Sequence, residues 1–102
     1  MKRACLTLVL LLAACDQFPL ELHPPHDAKN VRTVYTDEGR DVELSFIATD
    51  APWAVGLIDT QLRVAGYERC AKAGAWRKER AVAMVSADGS RVVVRQLREG
   101  TC

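Results

Sequence analysis

The chain is poor in the residues that usually do chemistry. It holds only two histidines, His23 and His26, close together in a proline-broken stretch. Histidine is the commonest general base near neutral pH, so most acid–base mechanisms lack their usual proton carrier here. Two imidazoles without a third ligand nearby do not make a metal site. There is no Gly-x-Ser-x-Gly elbow, no phosphate-cradling glycine loop and no convincingly placed carboxylate pair. Asp37, Glu38 and Asp41 do cluster, but at a turn, where solvated acids are ordinary. No catalytic residue, metal ligand or small-molecule cofactor is therefore expected. The formal net charge is only +1, so no global field recruits nucleic acid. No apolar run reaches the roughly 18 residues of a membrane-spanning helix. What remains, at 102 residues with 49% apolar and 26% charged side chains, is room for one ordinary globular domain.

The most informative stretch is "LVLLLAACDQFP", residues 8–19. Lys2 and Arg3 precede an apolar run over residues 4–14, of the length of a signal h-region. The run ends at Leu12-Ala13-Ala14-Cys15, and Asp16 follows. Charged start, short apolar core and Leu-Ala-Ala-Cys in that order resemble the lipobox signal of bacterial lipoproteins. The resemblance covers the first fifteen to nineteen residues and no more. It implies removal of residues 1–14, acylation of Cys15, and a mature chain held at a membrane and facing the periplasm. Each acyl methylene buried in the bilayer contributes about 0.8 kcal/mol, so two or three chains make release negligible. Asp16 resembles the retention signal of enteric bacteria, which favours the inner over the outer membrane. Residues 15–29, with Pro19, Pro24 and Pro25, are expected to be a stiff, extended tether, and residues 30–102 a single domain.

On that reading Cys5 leaves with the signal and Cys15 carries lipid. Cys70 and Cys102 remain, in a compartment that permits disulfides. Their spacing fits neither a Cys-x-x-Cys redox pair nor a zinc site, so a structural bridge is expected. Closing a loop of about thirty residues contributes roughly 3–4 kcal/mol in the chain-entropy picture.

Within the domain, residues 31–36 and 41–48 read as strands joined by a "DEGR" turn at 37–40. Val42, Leu44, Phe46 and Ala48 alternate with Glu43 and Ser45, the pattern of a half-buried strand. Asp50 as cap, Pro52 in the first turn and Gly66 at the end bound a helix. At 100° per residue Trp53, Ala54, Val55, Leu57, Ile58, Leu62, Val64 and Ala65 form one broad apolar arc, interrupted only by Gln61. Residues 76–86 and 90–98 flank Ala87-Asp88-Gly89 as a last hairpin. A three-residue loop pairs Met84 with Val92, and an Asp88-Gly89 loop pairs Val85 with Val92; one slip exchanges the faces. The sum is an α+β domain of ββαββ order, an antiparallel sheet with one helix on one face. In that order the Cys70–Cys102 bridge closes the base of the last hairpin.

Charge divides along the chain. Residues 15–62 carry nine acidic and three basic side chains, and residues 63–102 four acidic and nine basic ones. Either acidic and basic strands face each other across the sheet, or a basic face awaits an acidic partner. Arg77, Arg91 and Arg95 are the candidates for that face. Trp53 and Trp76, with Tyr67, either line one groove or cap the ends of a small core. Two roles fit an anchored domain without catalytic groups. One is a binding or accessory module for an envelope protein; the other is an inhibitor or immunity-type lipoprotein acting on an envelope enzyme or toxin.

Overall fold

The computed structural model describes residues 18–36 and 41–102. The expected signal segment, Cys15, Asp16 and the 37–40 turn lie outside the described residues. One antiparallel sheet of six strands and one helix make up the fold, so the α+β class stands, with sheet predominating. The elements are β1 (Lys29–Thr36), β2 (Asp41–Ile47), α1 (Ala51–Val64), β3 (Glu68–Arg69), β4 (Ala75–Lys78), β5 (Ala81–Asp88) and β6 (Arg91–Leu97). Their spatial order is β1-β2-β6-β5-β4-β3. The first hairpin leads into the helix, which carries the chain to the far edge. Four strands then return as a meander, and β6 docks on β2.

The ββαββ expectation thus undercounts the strands after the helix. The stretch 76–86 is broken at Glu79–Arg80, where Lys78 pairs with Ala81 across a two-residue turn. Glu79 takes φ 57, a left-handed value usually left to glycine or asparagine. Arg77 Nε donates to the Glu79 carbonyl at 3.0 Å and supports the turn. The β5–β6 register also differs from both alternatives. Asp88 pairs with Arg91, so Gly89 and Ser90 form the loop, and Val85 faces Val94. Positive φ at Gly89 (65°) but not at Ser90 is the type II′ pattern, with glycine first rather than last.

Residues opposite one another in the register share a face. One face carries Val42–Gln96–Ala83–Trp76, Leu44–Val94–Val85 and Phe46–Val92–Ala87. Most of these join Ala51, Ala54, Ile58 and Leu62 of α1 in one buried core. The helix stripe is narrower than the sequence arc, because a straight rod on a sheet buries one line of side chains. Trp53 and Val64, near its two ends, are 59% and 82% exposed. Asp50 Oδ1 accepts from Trp53 N–H at 3.1 Å. At the other end Gly66 N–H bonds Arg63 O and Tyr67 N–H bonds Leu62 O, a Schellman closure with Gly66 at φ 102.

Residues 18–28, expected to stand apart as a tether, lie against this same core. Leu20, Leu22 and Ala28 pack on it, and Pro25 is buried. Two glutamine side chains hold the segment by its backbone. Gln96 accepts from Leu20 N–H at 2.8 Å and donates to Leu20 O at 2.9 Å. Gln61 does the same at His23, at 2.8 and 2.9 Å. Each amide thus imitates a strand neighbour, and the buried Gln96 is satisfied by doing so.

The opposite face carries Asp41–Leu97–Val82–Arg77, Glu43–Arg95–Met84–Ala75 and Ile47–Arg91–Asp88. Acidic residues of β2 therefore meet Arg95 of β6, as the charge division suggested, while Asp88 and Arg91 pair within the basic half. Val82 is nonetheless fully buried. The C-terminal segment covers it: Gly100 donates to Arg80 O, and a Cβ added at Gly100 would meet Leu97 and Val82 within 3.5 Å.

Candidate functional site

The longest element exposed at every residue is β1. All eight of its residues are exposed, with Val31 at 51%, Val34 at 38% and Tyr35 at 64%. Among the described residues only β2 pairs with it, so its outer row of N–H and C=O groups faces solvent. Lys29 and Arg32 are its charged residues, both basic. The other rim, β3, is two residues long. It is followed at once by Cys70, whose Cα lies 5.9 Å from that of Cys102, within the range a disulfide spans. The pair does not close a hairpin base, as the strand count above requires. It ties the C-terminal segment to the far rim.

The three arginines singled out in the sequence share the face opposite the helix. Arg91 and Arg95 lie two residues apart on β6, and Arg77 on β4. None stands without an acidic or polar neighbour. Arg95 Nη2 approaches Asp41 Oδ2 at 4.0 Å, Arg91 is opposite Asp88, and Arg77 serves the β4–β5 turn. A half-exposed pair of this kind contributes little to stability, so the arginines retain most of their capacity for a partner.

The aromatic residues separate. Trp76 is 2% exposed and Tyr67 6%, both core, whereas Trp53 sits on the surface. They present no common groove. The Trp76 ring is capped by two guanidiniums, Arg69 at 4.9 Å and Arg63 at 5.8 Å from its centroid. Arg69 also reaches Asp59 at 3.9 Å. A cation over a tryptophan face contributes about 0.5–2 kcal/mol depending on desolvation. These contacts close the helix–β3 corner rather than opening a site. Beside them a cleft of about 440 Å³ runs along Arg69, Arg77, Lys78 and the two cysteines, with Glu68 and Glu79 interspersed. Lys78 Nζ donates to Ala65 O at 2.7 Å, so that cation is committed to the helix C-terminus.

His23 and His26 are exposed, and no cluster of three metal-binding side chains occurs among the described residues. No described helix is long and apolar enough to cross a membrane. Reading the sequence missed Gln61 and Gln96 as positioning residues. The signals were present: Gln61 alone interrupts the helix arc, and Gln96 falls at a buried position of an otherwise valine-lined strand. No protein-family model, no curated protein and no solved structure matches this chain.

Proposed function

We propose that this protein is a lipid-anchored lipoprotein of the bacterial envelope, facing the periplasm, which acts as a non-catalytic binding module. Cys15 is its acylated first residue after loss of residues 1–14, and Asp16 favours residence at the inner membrane. The Cys70–Cys102 bridge forms in that oxidising compartment. The observation that carries the binding role is β1, a strand exposed along its whole length with three large apolar side chains in the open. An exposed edge of this kind pairs with an extended segment, whose main chain completes the ladder. With Lys29 and Arg32 on the strand, the partner is an envelope protein whose docking segment alternates apolar and acidic residues. Arg91 and Arg95 lie one strand further in, on β6 beyond β2, and add basic side chains to the same sheet.

The anchor is tested by the intact mass of protein extracted from membranes with detergent. A chain beginning at Cys15, carrying acyl mass and lacking two thiol hydrogens, is the expected result. A soluble chain that retains residues 1–14 refutes it. The binding role is tested by placing a photo-crosslinker at Tyr35 in cells. One defined product is expected, and it should disappear when Val34 is replaced by proline, which removes an N–H and breaks the edge.

A further inference from the structure

We infer that the folded domain lies directly against the bilayer, with the sheet end bearing Arg80, Arg98 and Glu99 toward the lipid headgroups. The inference rests on the lipid-anchor reading and adds to it an orientation. It follows from how early the docked segment begins. The Arg98 guanidinium lies 4.8 Å from the centroid of the Phe18 ring. Two residues later Leu20 is held by Gln96, and His23 is held by Gln61. From Phe18 onward, then, the path of the chain is fixed to the domain.

Only three peptide units separate the Cα of Cys15 from that of Phe18, a span of at most about 11 Å. The headgroup layer on one side of a bilayer is itself about 5–8 Å thick. An acyl chain on Cys15 enters the hydrocarbon, so the headgroups consume most of that span. Phe18 and the surface around it are left at the membrane. Had residues 15–29 been a free, extended tether, the same anchor would have allowed a reach of about 45 Å at roughly 3.1 Å per residue. The glutamine clamps remove that slack.

The register identifies which end is down. Arg98 directly follows β6, whose last residue, Leu97, is opposite Asp41 and Val82. The β4–β5 turn lies at this end too: Gly100 donates to Arg80 O, and Arg80 meets Glu99 at 3.2 Å. The Gly89–Ser90 turn and the start of α1 lie at the other end, joined by Ala48 N–H to Ser90 O. Seven strand residues separate the ends, about 24 Å. The membrane is therefore the partner of the Arg80–Arg98 end. The β1 edge, which runs between the ends, is held beside the bilayer rather than in free solution.

The test uses the native lipidated protein, labelled with nitrogen-15, in phosphatidylcholine nanodiscs with and without nitroxide-headgroup lipid. Amide signals of Arg80, Arg98 and Glu99 should lose several-fold more intensity to the nitroxide than those of Trp53, Gly89 and Ser90. Equal losses at both ends, no loss, or the reverse gradient, in protein that co-elutes with the discs, would overturn the orientation while leaving the anchor standing. Protein that elutes apart from the discs refutes the anchor, and the orientation falls with it.

Discussion

Replacing Gln96 with methionine isolates the clamp on residues 18–28. Methionine matches the length of glutamine and fills the same buried space, 3% exposed in the native chain, but offers no amide. Both bonds to Leu20, at 2.8 and 2.9 Å, are lost. If the segment stays docked, Leu20 keeps an unpaired N–H and C=O in a partly buried place, at about 1–3 kcal/mol each. If it lifts into water those groups are satisfied, but the half-buried Leu20 and Leu22 give up about 1 kcal/mol apiece. The His23 pair adds about 1 kcal/mol per bond, and the freed backbone recovers entropy. The cheaper route sets the measured value, so Gln96→Met should destabilise by about 2 kcal/mol. Gln61→Met, at the exposed clamp, should cost about 1 kcal/mol. Because both grip one segment, which can be released only once, the double variant should cost less than the sum. Urea unfolding with the disulfide intact measures all three, and amide exchange at Leu20 and His23 reports the release directly. Changes below 0.5 kcal/mol, strict additivity, or unaltered protection of the Leu20 amide would show that the glutamines do not hold the segment.

Replacing Cys70 and Cys102 together by serine opens a cross-link spanning 32 residues. It should destabilise by roughly 4 kcal/mol on chain entropy, seen by calorimetry as a fall in Tm of about 15–30 °C. Gly74→Ala should cost about 2 kcal/mol or more: Gly74 has φ +80, and an added Cβ would meet the Val85 carbonyl at 2.6 Å. Gly56→Ala, inside the helix with nothing within 4 Å, should instead stabilise by up to about 1 kcal/mol. The same urea titration distinguishes the two signs.

The elements legible in the sequence are those whose signals are local. β2 announced itself by strict alternation. The helix was bounded by a cap, a proline and a glycine, each of which acts where it stands. The β4–β5 turn carried no such mark, because Glu79 reaches a left-handed φ only with the support of its neighbours. The β5–β6 register failed on one detail, since a glycine allows left-handed φ at either central turn position and the sequence does not say which. β3, two residues long, is defined by pairing alone. The docked segment was hidden for a different reason. Leu20 and Leu22 alternate with Glu21 and His23, as a strand would, but the prolines drew attention to stiffness. That stiffness suits docking as well as extension, because a pre-extended chain loses little entropy on being held. Its partner Gln96 lies 76 residues away, beyond any local pattern. Of the surface candidates, Arg91 and Arg95 share a strand face by simple parity. The tryptophans had no such constraint, and one of them belongs to the interior.

The two rims of the sheet are not equivalent, and this limits what strand addition can build. Fibrous growth by edge pairing demands that every copy be both donor and acceptor, with a competent rim on each side. Here one rim is eight residues long and open. The other is two residues long and bordered by a cysteine at bonding distance from the chain terminus. Among the described residues, a strand added along β1 would therefore find no second rim from which a filament could continue, and assembly would terminate after a single event.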